Sequence, residues 1–129
     1  MNNVPFLPDL IYVHLDRDGK AVLVPGGDEF WSLPEQETER FGRGWLISEY
    51  AFTADWASWE MHPRADEYVY LLSGAMAMHL EEPQGVRVVE VADRGALVIP
   101  RGIWHTAKIR SPCRLLHITM GEETKIRAV

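Results

Sequence analysis

Turn chemistry recurs so often along this sequence that no long helix fits between its stops. Ile11–Leu15 gives way to Asp18-Gly19, and Ala21–Val24 to Gly26-Gly27, the spacing of a β-hairpin. From Trp45 onward the same alternation predicts strands over Leu46–Phe52, Ala57–His62, Tyr68–Leu72, Ala75–Leu80, Arg87–Val91, Ala96–Ile99, Thr106–Ile109 and Arg114–Thr119. Ser73-Gly74, Pro83-Gln84-Gly85, Asp93-Arg94-Gly95, Pro100-Arg101-Gly102 and Ser111-Pro112 punctuate them. Short strands rich in Val, Ile, Tyr and Trp, without an amphipathic window of helical length, read as an all-β sandwich or barrel. The polar stretch Glu35–Gly44 (EQETERFGRG) interrupts this rhythm and reads as a surface loop or one helical turn without a functional role.

A chain of 129 residues suits one domain with a core large enough to need no disulfides. We expect residues 1–44 to supply N-terminal hairpin strands and a loop packed on the barrel, 45–121 the barrel core and 122–129 a C-terminal tail. Lys plus Arg number 13 against 19 Asp plus Glu, a net charge of 13 − 19 = −6 that offers no field for phosphate backbones, so nucleic acid is not expected as a partner. The first ten residues lack the basic and apolar regions of a signal peptide, no apolar run reaches bilayer length, and the single Cys113 fits a reducing compartment. A cytoplasmic protein without membrane contact is the expectation. Neither a phosphate-binding glycine loop nor a nucleophile-elbow serine is present.

Of the five histidines, His62 comes with carboxylates at usable spacing. In Trp59-Glu60-Met61-His62 the two-residue strand period puts Glu60 and His62 on one face, Trp59 and Met61 on the other. Glu67 lies at an odd offset, but Pro63 ends the strand and the loop through Asp66 can reset the phase, returning Glu67 to the same face. Further on, Gly95 opens a strand that leads through Pro100-Arg101-Gly102 to His105.

These two stretches resemble the paired motifs of the cupin superfamily, G-x5-H-x-H-x3–4-E-x6-G and G-x5-P-x-G-x2-H-x3-N. His62, Glu67 and Gly74 match the later part of the first; Pro100, Gly102 and His105 match the heart of the second. Glu60 stands in place of the first histidine, Ala54 of the leading glycine and Ile109 of the asparagine, and Gly95 is one residue closer to Pro100 than the pattern asks. The resemblance implies a double-stranded β-helix, or jelly-roll barrel, that forms a homodimer. It also implies a divalent metal held by Glu60, His62, Glu67 and His105. Two imidazoles and two carboxylates suit Fe, Mn, Ni or Zn, with a leaning to Mn or Fe because the extra carboxylate hardens the site.

Two readings of these residues stay open at this point. Burying four ionisable groups without an ion to pair them is costly, which favours metal over a metal-free polar pocket. Glu60 is either a ligand or a hydrogen-bonding surface carboxylate. His117 shares a strand face with Leu115 and Thr119 and becomes a pocket contact if that face looks inward; Tyr70 and Trp104 are further pocket candidates, since aromatics near a barrel mouth line small-molecule sites or else pack in the core. His79 is expected to be solvated or at a subunit face, and His14 structural. Two functions fit: a metal-dependent enzyme acting on a small oxygenated metabolite by oxygenase- or isomerase-like chemistry, or a non-catalytic sensor or accessory protein that binds a small molecule or metal.

Overall fold

A computed structural model describes residues 4–129. The chain forms β1 (Ile11–Leu15), β2 (Ala21–Pro25), α1 (Asp28–Trp31), α2 (Glu35–Phe41), β3 (Trp45–Phe52), β4 (Ser58–Met61), β5 (Glu67–Glu82), β6 (Gly85–Val91), β7 (Ala96–Ile99), β8 (His105–Thr119) and β9 (Lys125–Ala128). All pairings are antiparallel. One wall runs β2-β1-β3, then the C-terminal half of β8, the N-terminal half of β5 and β7. The other runs β9-β4, then the N-terminal half of β8, the C-terminal half of β5 and β6. Two walls joined by shared long strands make a jelly-roll β-barrel, the all-β fold expected.

The sharing of β5 and β8 corrects the sequence reading in one respect. Ser73-Gly74 and Ser111-Pro112 do not end strands; they bend two continuous ones as they pass from wall to wall, and the β5–β8 register slips between Leu71 and Met76. The two bends face each other. Gly74 has φ 82°, and a Cβ there would collide with the Pro112 carbonyl oxygen. Residues with turn chemistry serve here because a barrel corner needs the same left-handed backbone and the same close approach as a turn.

The Glu35–Gly44 stretch is likewise more than a loop. Glu35–Phe41 is a two-turn helix, and Phe41 buries against Phe30 of α1, Tyr12 of β1 and Leu46 of β3. Helices of four and seven residues are unstable alone. Burial of the two phenylalanines, worth roughly 1.5–3 kcal/mol each, holds them on the barrel. Trp31 Nε1 donates to Tyr12 Oη at 3.1 Å, and Tyr50 Oη donates to Asp28 at 2.6 Å, pinning α1 over the end of β3. The expected C-terminal tail is also structured: β9 pairs with β4 from Ser58↔Ala128 to Met61↔Lys125.

The main core inside the barrel is built from Val69, Leu71, Met76, Met78, Leu80, Val91, Ile99 and Leu115. Cys113 packs among them, and burial pushes its thiol up, away from nucleophilic reactivity. This core directly adjoins the polar strand positions, since Leu80 pairs with His105, Val69 with His117 and Ile99 with Glu67. No helix among the described residues is long and apolar enough to cross a membrane.

Candidate metal centre

His62 follows the last residue of β4, Glu67 opens β5, His105 opens β8 and His117 lies near its end. The loop from Pro63 to Asp66 does reset the strand phase. Its geometry is set by the Pro100-Arg101-Gly102 turn, where Gly102 N donates to the His62 carbonyl at 2.9 Å and Arg101 N to the Asp66 carboxylate at 2.9 Å. Gly102 has φ 81°, the left-handed backbone that glycine adopts without a Cβ penalty. The turn of the second motif thus clamps the loop of the first, and Glu60 sits directly across from His105 in the sheet.

Glu67 lies at the centre of the cluster. One of its oxygens, Oε2, accepts from Thr119 Oγ1 at 2.5 Å and faces His117 Nδ1 at 3.4 Å. The other, Oε1, stands 3.3 Å from His105 Nε2 and 3.5 Å from His62 Nε2 without forming a hydrogen bond. All three groups are buried, with His105 fully so. Glu60 is about one-third exposed, its Oε2 3.9 Å from His62 Nε2, and the donor atoms of Glu60, His62 and His105 lie within 4.8 Å of one another.

Hydrogen bonding fixes what the two imidazoles present. Thr124 Oγ1 donates its proton to the Gly121 carbonyl at 2.7 Å, so at 2.8 Å it accepts from His62 Nδ1–H. His105 Nδ1 faces the Ile103 carbonyl at 3.1 Å, which only accepts, so this nitrogen also carries hydrogen. In their neutral forms both rings therefore aim an Nε2 lone pair at the free oxygen of Glu67. Three lone-pair donors converging at 3.3–3.5 Å repel one another unless a cation lies among them. Bonds of about 2.1 Å to a metal give donor separations of about 3.0 Å for octahedral and about 3.4 Å for tetrahedral edges, so the residues fit a first-row divalent ion.

Without a metal, a proton takes that place. Burial pushes the Glu67 carboxyl up, but the imidazoles of His105, His117 and His62 outweigh it and hold the group well below the usual carboxylate range. Burial lowers His105, and the adjoining Glu67 carboxylate more than compensates, so its imidazolium persists above the ordinary histidine range.

Glu60, His62, Glu67 and His117 of the cluster line a cavity of about 660 Å³, and the fully buried His105 is not among its lining residues. Leu46, Ser48, Tyr50 and Phe52, alternate residues of β3, line one side, and α1 and α2 border it. His117 faces this cavity, with Trp56 at 6.0 Å between ring centres. Tyr70 and Trp104 do not line it. Tyr70 sits one position out of phase with buried Val69 and Leu71, on the outer face, where Arg94 Nε donates to its hydroxyl at 2.7 Å. Trp104 packs under the guanidinium of Arg127, 4.5 Å from the ring centre. His79 is partly buried on β5, outside the cavity lining, and His14 packs edge-on to Phe41. Thr119 as the anchor of Glu67, and Thr124 as the anchor of His62, carry roles that their sequence context does not announce.

The cupin domain family model matches residues 49–119, more than half of the chain. No curated protein matches. Among solved structures, a cupin-2 domain containing protein from Shewanella frigidimarina aligns at 16% identity with a TM-score of 0.50, covering 57% of this chain and 68% of that one. Salicylate 1,2-dioxygenase from Pseudoaminobacter salicylatoxidans aligns at 11% identity and 0.54, over 64% of this chain and 24% of the enzyme. Bacillus subtilis oxalate decarboxylase, which has Mn(II) centres, aligns at 14% identity and 0.53, over 66% and 24%. At these identities the likeness is one of fold, and this chain spans about a quarter of each enzyme. The motif turns, the bent long strands and the family match together identify the chain as a member of the cupin family.

Proposed function

We propose that the protein is a metal-dependent enzyme that binds a divalent ion, of the Fe or Mn type, through His62, His105 and Glu67, with Glu60 as a fourth ligand, and acts on a small oxygenated metabolite. The observation that carries this reading is the convergence of two oriented imidazole lone pairs and one free carboxylate oxygen, with His62 and Glu67 on the wall of a cavity. Solved structures with the same fold, among them a dioxygenase and an oxalate decarboxylase with Mn(II) centres, support the chemistry as one this barrel accommodates.

A divalent ion held by these residues would supply Lewis acidity. Thr124 and the Ile103 carbonyl hold the two rings in the ligating tautomer, and Thr119 holds Glu67 so that one oxygen stays available. Glu60, partly exposed and free of a tight hydrogen bond, is placed to take a proton from a substrate when it is not coordinated. Phe52 and Trp56, with ring centres 5.6 Å apart, make part of the cavity wall apolar. Within this reading both oxygenase-like and isomerase-like reactions use the same residues. The test is turnover of a panel of small hydroxy, keto and enediol compounds by metal-loaded protein. Activity that disappears in His62→Ala is expected; activity that survives in that variant, or none with any of Fe, Mn, Ni or Zn, overturns the enzymatic reading in favour of a binding role. Homodimerisation and a cytoplasmic location remain part of the proposal, tested by light scattering and by fractionation.

A further inference from the structure

We propose that the cavity selects small oxygen-bearing molecules that also carry a cationic amino group, with the ammonium held by Glu35 and Glu39 of α2 and the oxygen end at the imidazole cluster. This deepens the proposed function, and its oxygen end rests on that reading.

The carboxylates that line the cavity are Glu35, Glu39, Asp55, Glu60, Glu67 and Glu123; no Lys or Arg among the described residues lines it. A divalent ion is balanced by Glu60 and Glu67. Glu123 is paired with Arg64 at 2.6 Å, and the Asp55 carboxylate accepts from Ile109 N at 2.7 Å. Glu35 and Glu39 have no ion-pair partner among the described residues. Four residues apart on α2, they lie on one helix face with Thr38 and border the cavity together. An anionic ligand would meet uncompensated carboxylates and no cationic clamp, whereas an ammonium is attracted at the rim. Trp31, half exposed, also lines the cavity and offers an aromatic face that favours the same charge.

Deeper in, the unpartnered groups are the His62 Nε2 and Glu67 Oε1 atoms, both on side chains more than nine-tenths buried and both on the cavity wall. Trp56 lines the same region, and its indole N–H, shielded from solvent, has no partner among the described residues. The wall therefore has a charge-balanced inner end when metal is bound and an acidic outer end on α2.

Three probes sharing a carbon chain and a hydroxyl distinguish the charge classes: 5-aminopentan-1-ol, pentane-1,5-diol and 5-hydroxypentanoate. Binding is read by tryptophan fluorescence, since Trp31 and Trp56 line the cavity, in the wild type and in the Glu35→Gln/Glu39→Gln double variant, with metal content measured separately. The amine is expected to bind roughly tenfold tighter than the diol, with the carboxylate weakest. The double variant should bring the amine to the level of the diol while metal content stays unchanged. An amine that binds no tighter than the diol, a carboxylate that binds tightest, or a preference that survives the double substitution overturns the proposal. An amine preference in protein that takes up no metal would sustain this inference while removing the metal reading; full metal uptake without the preference would do the reverse.

Discussion

Replacing Thr124 by valine removes the acceptor of His62 Nδ1–H while keeping the shape of the side chain. His62 is buried, so the N–H loses its partner in a place water reaches poorly. An unsatisfied buried donor costs about 1–3 kcal/mol, and at 1.4 kcal/mol per tenfold this is roughly 5- to 150-fold in affinity. Loss of such an outer partner typically weakens metal binding about 10- to 100-fold. The cost falls on the metal-bound form, because the metal-free ring is free to move its proton to Nε2, where Glu67 stands 3.5 Å away. Competitive titration of Mn or Zn against a chelator, with circular dichroism to verify the fold, measures it. Thr124→Ser keeps both the acceptor and the donor to Gly121, so it should restore wild-type affinity. Unchanged affinity in Thr124→Val would refute the reasoning that this hydroxyl sets the ligating tautomer of His62.

Two further outcomes follow from the fold and from the ligands. Gly74→Ala places a Cβ against the Pro112 carbonyl and forces a left-handed backbone on alanine, so it should destabilise by more than about 2 kcal/mol, seen as a lower denaturant midpoint; a midpoint within error of wild type would mean the barrel corner is not built on that contact. Metal loading should weaken as pH falls below about 6.5, because ligation needs neutral imidazoles and the Glu67 carboxylate, by favouring the His105 imidazolium, makes protons compete there from somewhat above that value. Equilibrium dialysis across pH 8 to 4 checks the direction, and loading that is flat down to about pH 4 would contradict histidine ligation.

What the sequence makes legible is what local spacing encodes. Glu60 and His62 share a face by strand period alone, and the Pro-x-Gly turn before His105 is written in three residues. The anchors are another matter. Thr124 reaches His62 across 62 positions and Thr119 reaches Glu67 across 52, and a threonine carries no local mark of either partnership. The long strands β5 and β8 read as four short ones because a barrel corner and a hairpin turn ask the same backbone of Gly74 and its neighbours. Glu35–Phe41 shows little apolar period because only Phe41 is buried, so its helical state comes from packing on Phe30 and Leu46 rather than from an amphipathic face. Proximity to the motif makes Tyr70 a pocket candidate, yet the alternation that turns Glu67, Val69 and Leu71 inward turns Tyr70 outward.

Elemental analysis of untagged protein, wild type beside Glu60→Ala and His105→Ala, tests the metal centre most directly. Near-stoichiometric Fe, Mn, Ni or Zn in the wild type is predicted, lost in His105→Ala and reduced in Glu60→Ala, whose carboxylate is the more exposed and more distant of the two. A wild-type protein that holds no metal after reconstitution, or a His105→Ala variant that holds it as well as the wild type, would contradict the assignment.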